Sequence, residues 1–326
     1  MKYAYTSILG QEIKNLIEMK QALGFSYDSE IGKLKRIDEF FNDHNLDEKS
    51  VSKELCDEWC RKRSYETARN HSSRISMMRV FCNYLNDIGI LAYVPPKGLT
   101  GKKKKYDAHI YTDDELRRFF AEVDKSQSLE SECPYRTMVM PLFFRLLYTS
   151  GFRVSELRLA RICDFNLEDG YLLVHESKNH KDRIVPIAPP LVVRCRELLE
   201  TVHKNSSDDE YFFLVRPGEI LTLGNIYKNF RRYLERAGIS HTGHGPRVHD
   251  FRHTYCVNLL RKWTDEGKDL MAYIPYMRTM LGHESFEETA YYLKLTYERY
   301  PYIKETLKKA FPKMIEEVTF SEKEFY

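Results

Sequence analysis

The sequence has no uninterrupted apolar run near the roughly 20 residues that a membrane helix needs. Its first residues, Met1-Lys2-Tyr3-Ala4-Tyr5, lack the apolar core of a signal peptide, so a cytoplasmic protein is expected. Cysteine is too scattered for a disulfide framework: there are seven, an odd number spread along the chain, which suits a reducing compartment. Cys56 and Cys60, the closest pair, have helical i,i+4 spacing without the CxxC of a zinc knuckle, and are expected to be small buried hydrophobes. A surplus of one charge is also missing overall, the net being +3. Residues 1 to 106 nevertheless hold 19 Lys and Arg against 14 Asp and Glu, and the remainder 32 against 34. A basic front suits a DNA-gripping domain, although a solvated surface accounts for it nearly as well.

What is present is ordinary for a globular chain: 42% apolar and 30% charged residues, with 23 Tyr and 18 Phe. At 326 residues it can bury two cores, since single domains mostly run to about 100 to 200 residues. Residues 1–94 carry helical patterns and no strand signals. Apolar residues recur at helical spacing in Ile8, Ile13, Leu16, Ile17, Met19 and Leu23, stopped by Gly24, and again in Ile31, Leu34, Ile37, Phe40 and Phe41. Further helical stretches run from Ser52 to Arg63 and from Tyr65 to Asp87, the last with Ile75, Met78, Val80, Phe81 and Leu85. This predicts a small all-α bundle. Arg61, Lys62, Arg63, Arg69, Arg74 and Arg79 gather at the start of the fourth helix and along it, as phosphate contacts or as a solvated face. Residues 95–106 then change character, with Pro95-Pro96, Gly98, Gly101 and the run Lys102, Lys103, Lys104, Lys105. They read as a basic linker, able to lie along a phosphate backbone or simply to aid solubility.

A second domain, 107–326, opens with the capping box Thr112-Asp113-Asp114-Glu115. Met138 to Leu147 is apolar on nearly every face, which predicts a helix in the domain centre, ended by Gly151. Arg153 follows at once, with Glu156 one turn on to orient it. Tyr171 to His175 and Arg183 to Ile187 flank a polar turn and predict a β-hairpin with Lys178 and Lys181 at its tip. Helices are expected at Leu191 to Val202 and Leu223 to Ala237, with a short apolar segment, Tyr211 to Val215, between them. In the next helix Val248, Phe251, Tyr255 and Leu259 form the expected buried stripe, leaving His249 and Arg252 together on its flank. Tyr273 to Met280 and Tyr297 to Lys309 complete the helical pattern, and the last dozen residues are charged and expected to be loose. Before the last helix, Ser285 and Glu288 make another capping box, so His283 falls in the loop before a helix and Tyr292 two turns into it.

The ordered set Arg153, Lys178, His249 with Arg252, His283 and Tyr292 resembles the tyrosine recombinase (phage integrase) family. Gly151-Phe152-Arg153-Val154-Ser155-Glu156-Leu157 is similar to the family's first arginine box, His249-Asp250-Phe251-Arg252-His253 to its His-x-x-Arg box, and Leu281-Gly282-His283 to its Leu-Gly-His box. Lys178 matches its hairpin lysine, and Tyr292 stands where its nucleophile does. Tyr291 adjoins it, but the spacing from the cap and from His283 favours Tyr292; Lys181 competes with Lys178. The match covers about residues 107 to 300. It implies a mainly α fold with a small β-sheet: an N-terminal helical core-binding (SAM-like) bundle and an α+β tyrosine-recombinase catalytic domain. It also implies a C-shaped clamp on duplex DNA, a homo-tetramer on two core sites, sister recombinases in some systems, a C-terminal helix exchanged between subunits, and no metal or cofactor. With no segment before Met1 for arm sites, simple core sites are expected.

The chemistry agrees with the resemblance. Attack on a phosphodiester must neutralise charge on the nonbridging oxygens, which two planar guanidinium groups do with paired donors. A phenol has a pKa near about 10 and needs a proton acceptor, for which His249 is expected, with His283 donating to the phosphate. Lys178 would protonate the leaving 5′ oxygen, and the 3′-phosphotyrosyl link would keep the bond energy for rejoining. Rival readings are a metal-dependent hydrolase using His249 and His253 at i,i+4, a non-catalytic DNA-binding accessory relative, and a type IB topoisomerase.

Overall fold

In the computed structural model residues 3–100, 107–175, 182–243, 245–283 and 286–311 are described. The chain divides into two compact units, 1–106 and 107–326. In the first, helices α1 (Gly10–Ala22), α2 (Asp28–Asp43), α3 (Lys53–Cys60) and α4 (Ala68–Asp87) make the expected bundle. Capping fixes two of their starts: the Ser52 and Thr67 hydroxyls accept from the backbone amides of Leu55 and Asn70, each at 3.2 Å. Ile13, Leu16 and Ile17 pack with Leu34, Ile37, Phe41, Trp59, Phe81 and Leu85. The α1 stripe is rotated from the expected one, because Leu9 is buried while Ile8, Met19 and Leu23 are exposed. In α4 likewise Val80 faces out. Cys56 is buried and Cys60 half-buried, and all seven cysteines are free.

The second unit begins with α5 (Asp113–Asp124), whose capping box is formed as read, Thr112 and Glu115 each satisfying the other's backbone amide. The central helix α6 (Arg136–Ser150) is buried on nearly every face and ends at Gly151 with φ +65°. A Cβ there would lie 2.6 Å from the Tyr255 ring, so only glycine permits this approach. After α7 (Val154–Leu159), strands β1 (Phe165–Asn166), β2 (Tyr171–Val174) and β3 (Arg183–Pro186) form an antiparallel sheet, with Leu172 opposite Val185 and Val174 opposite Arg183. The hairpin β2–β3 was legible in the sequence; β1 was too short to signal. Helix α8 (Pro189–Val202), the small hairpin β4 (Leu214–Arg216) and β5 (Glu219–Ile220), and α9 (Leu223–Arg236) follow. Phe119, Phe143, Phe144, Phe230 and Phe251 join in one aromatic core, each burying a large apolar area.

The unit closes with α10 (Asp250–Asp265), α11 (Leu270–Leu281), α12 (Phe286–Arg299) and α13 (Lys304–Ala310). Two expectations are corrected here. In α10 Tyr255 and Leu259 are only half-buried, whereas Arg252 is 2% exposed and lies inside rather than on a flank, because α10 packs against both α6 and α12. The helix expected from Tyr297 to Lys309 is broken: Pro301 cannot continue α12, and a 3-10 turn, Pro301–Ile303, leads into α13. Ser285 lies outside the described residues, as do 312–326. Among the described residues no helix is long and apolar enough to cross a membrane.

Candidate active site

The last turn of α11 leaves carbonyl groups without helical partners, at the negative end of the helix dipole. Three successive ones are each taken by a different arginine. Met280 O accepts from Arg183 Nε at 2.8 Å, Leu281 O from Arg252 Nη2 at 2.6 Å, and Gly282 O from Arg153 Nη2 at 3.2 Å. Gly282 caps the helix with φ +63°, which turns His283 back onto the same cluster. The first arginine box, the His-x-x-Arg box and the Leu-Gly-His box thus meet at one helix end.

Arg153 stands at the start of α7, where its Nη1 donates to Glu156 Oε1 at 2.7 Å and its backbone amide to Oε2 at 2.8 Å, as its orienting role predicts. Burial would raise the Glu156 pKa, but the hydrogen bond and charge of Arg183, joined by Arg153, hold it below the usual carboxylate value. Arg252 also donates Nη1 to Gly151 O at 2.8 Å, so the glycine ending α6 and the arginine of α10 hold each other.

His283 Nε2 lies 3.1 Å from Arg252 Nη2, and its Nδ1 3.0 Å from the buried Thr289 hydroxyl. Arginine only donates, so Nε2 accepts and the proton sits on Nδ1. In this arrangement His283 does not present the donor expected for a phosphate. Burial first, then Arg252, Arg153, Arg183 and Arg278, push its pKa down to about 3. Its ring stacks on Tyr292 at 5.6 Å and 3°.

Tyr292 is 3% exposed. Burial and the neighbouring Cys256 raise its pKa, while a hydrogen bond and the charge of Arg252 work the other way. Tyr291 is turned elsewhere: it is half-buried, hydrogen-bonds the backbone of Ala108 and faces Asp107, Asp250 and Glu298. The imidazoles in ring contact with Tyr292 are His283 and His253, the latter at 5.5 Å. His253 in turn meets His249 edge-on at 4.9 Å. His249 has an exposed outer face; desolvation by its walls, then Arg252 and Arg153, lower its pKa. His253, lowered to about 3 by burial, His249 and Arg252, is a neighbour of the phenol that sequence reasoning had considered only as a metal ligand. Among the described residues no group of three His, Cys, Asp or Glu is placed to hold a metal ion.

Arg183 was also missed. It begins β3 on the buried face, in step with Val185 and opposite the exposed Ile184, and that alternation is the signal which could have revealed an inward-facing arginine. Lys178, Lys181, Lys102, Lys103, Lys104 and Lys105 lie outside the described residues.

In the front unit the expected phosphate contacts separate. Arg69 is exposed. Arg79 donates to Pro95 O and Pro96 O, both at 2.8 Å, and so ties down the start of the linker. Arg74 is corrected: it is 9% exposed, forked onto Glu66 at 2.8 Å through both Nε and Nη2, and bonded to the carbonyls of Trp59 and Arg61. Beside it opens a cavity of about 490 Å³ whose lining includes Lys33, Arg36, Arg63, Tyr65 and Asn70. Lys33 and Arg36 were not singled out in the sequence because they belong to α2, away from the arginine run.

The phage integrase family model matches residues 110–299. A protein named an integrase/recombinase, y4rB, of Sinorhizobium fredii (strain NBRC 101917 / NGR234), is 26% identical over 294 residues, 88% of this chain and 93% of that one. Tyrosine recombinase XerA of Thermococcus kodakarensis (strain ATCC BAA-918 / JCM 12380 / KOD1) is 34% identical over 161 residues, 48% of this chain and 51% of its own. The structure of XerH site-specific recombinase bound to difH substrate, a pre-cleavage complex, aligns with 86% of this chain and 81% of its own at a TM-score of 0.63 and 19% identity, a likeness of fold.

Proposed function

The chain belongs to the phage integrase family of tyrosine recombinases, enzymes of site-specific DNA breakage and rejoining, and on that premise we propose that Tyr292 is its nucleophile. The observation that carries this is the meeting of Tyr292 with Arg252, whose guanidinium shares the α11 terminus with Arg153. Tyr292 Oη attacks the phosphorus, the bond to the 5′ oxygen breaks, and a 3′-phosphotyrosyl link forms. Arg153 and Arg252 take the nonbridging oxygens. The phenolic proton passes to the neutral imidazoles, His253 touching the phenol ring and His249 at the open side. Lys178 protonates the leaving 5′ oxygen. Attack by another 5′ hydroxyl reverses the step and exchanges strands. Because Tyr292 is 3% exposed, a phosphodiester reaches its oxygen only after α12 shifts.

The substrate in this reading is double-stranded DNA with core sites; XerH is bound to difH substrate in its pre-cleavage complex, and a lambda integrase dimer is bound to a COC' core site. We place a homo-tetramer on two sites, monomer or dimer when free, with sister recombinases as possible partners in the same assembly. A mobile element and a cytoplasmic location fit the integrase relatives and the seven free cysteines. Residues 1–94 grip DNA through the basic face around Lys33, Arg36, Arg63 and Arg69, and Lys102 to Lys105 and Lys181 add backbone contacts.

The test is a nicked suicide duplex carrying a site that the wild-type protein selects from a random-sequence pool. Tyr292→Phe abolishes the covalent adduct while retaining binding, and Tyr291→Phe keeps both. An undiminished adduct in Tyr292→Phe overturns the assignment.

A further inference from the structure

We propose that Arg183 is a positioning residue of the recombination reaction, holding the Arg153 box and the turn that carries His283 at a fixed distance from each other. The proposal rests on the reading of Arg153 as a phosphate-binding residue given above. Arg183 comes from neither segment. It stands at the start of β3 and reaches both.

Its side chain is 4% exposed. Nη2 donates to Glu156 Oε2 at 2.6 Å, and the other oxygen of that carboxylate takes Arg153 Nη1 at 2.7 Å. One carboxylate therefore bridges two guanidinium groups, and Arg153 is oriented through a partner that Arg183 immobilises. Nε donates to Met280 O at 2.8 Å, two residues before Gly282. The third nitrogen, Nη1, faces the Gly282 backbone: a Cβ there would come within 3.1 Å of Nη1 and 3.3 Å of Cδ and Cζ. Gly282 is thus favoured twice, by its positive φ and because a Cβ would crowd the Arg183 guanidinium. Nη1 has no acceptor among the described residues, which is costly for a buried donor, so the other two nitrogens carry the bridge.

Two diverging donors in one plane, Nε and Nη2, make this bridge possible, and lysine cannot reproduce it. An ammonium at the same position can reach Glu156 or Met280 O but leaves the other unpaired. His283 faces cations from four elements, Arg252 on α10, Arg153 before α7, Arg278 on α11 and Arg183 on β3, and from α12 the Thr289 hydroxyl and the Tyr292 ring. Removing the Arg183 charge therefore raises the His283 pKa, an effect that loss of packing alone would not produce.

The experiment compares wild type, Arg183→Lys and Arg183→Met as full-length proteins on the nicked duplex under single-turnover conditions. DNA binding is followed by gel shift and folding by thermal unfolding. A displacement of about 1 Å costs about 100-fold in rate, and Arg183→Met is expected to lose about that much adduct formation with binding retained. Arg183→Lys, the variant more certain to fold, recovers part of the rate. In Arg183→Met the His283 imidazole, followed by NMR, titrates at higher pH than in wild type, whereas in Arg183→Lys it stays near the wild-type position. Wild-type rates in both variants, or losses that follow unfolding with an unmoved His283 titration, overturn the proposal. Absence of any wild-type adduct would instead sink the nucleophile assignment on which it rests.

Discussion

Arg74 in the front unit and Arg252 in the second are both buried arginines on long helices, and the protein treats them in opposite ways. Arg74 is neutralised: its fork meets the Glu66 carboxylate, and its remaining donors go to the carbonyls of Trp59 and Arg61. Arg252 is held by the neutral carbonyls of Gly151 and Leu281 and by His283, and among the described residues no carboxylate pairs with it. A buried charge without a counterion is expensive, and carbonyl dipoles at a helix end only partly offset the cost. That expense makes structural sense where an anion is to arrive. The same residue type is a strut in one place and an electrostatic socket in the other.

The largest effect is expected where the socket is emptied. Arg252→Ala should slow adduct formation by about 100- to 1000-fold, or about 2.7–4 kcal/mol of barrier, as for other single donors to a developing anion. Arg252→Lys should recover little, since one ammonium cannot serve Gly151, Leu281 and a phosphate together. Single-turnover cleavage on preformed complexes measures this, and near-normal rates would break the contrast with Arg74.

Arg74→Met tests the strut. Removing one partner of a buried pair strands the other, at a cost of about 3–5 kcal/mol, while the double change with Glu66→Leu should recover much of it. Chemistry on bound DNA should be unaffected. The pH dependence has a definite sign. Glu66 is held below its ordinary pKa, first by the Arg74 hydrogen bond and against desolvation, so its contribution is present above the unfolded pKa and lost as pH falls through the folded one. Thermal melts in mild acid should show this weakening in wild type and not in Arg74→Met.

What the sequence disclosed follows from what kind of physics each feature expresses. The bundle, the apolar α6, the hairpin and the Thr112 capping box depend on local periodicity and local hydrogen bonds, so they were legible. The order of Arg153, His249, Arg252, His283 and Tyr292 was legible because their boxes are local. Arg74 was misread because a run of arginines on a helix is alike in charge, and only the folded neighbourhood of Trp59 and Glu66 separates a strut from a surface cation. Arg252 was expected on a flank because a stripe assumes one wet face, whereas α10 is packed by α6 and α12. Arg183 escaped notice because its partners lie at Glu156 and Met280, far along the chain.

The smallest expected effect sharpens the contrast from within the socket. Cys256, one turn beyond Arg252, is fully buried, with its thiol pushed up to about 12 chiefly by desolvation, and it hydrogen-bonds Tyr292. The neutral thiol holds the phenol inside through this hydrogen bond and its packing, while the charge of Arg252 favours the ionised phenol. Cys256→Ala removes the first and keeps the second. Buried substitutions of this kind cost about 0.5–3 kcal/mol in stability, and the phenol is freed from one of the contacts that hold it inside. A few-fold faster adduct, from a slightly less stable protein with unchanged DNA affinity, is the expected result in single-turnover cleavage. A slower adduct would show that the thiol helps to place the phenol, and that Arg252 does not hold Tyr292 by itself.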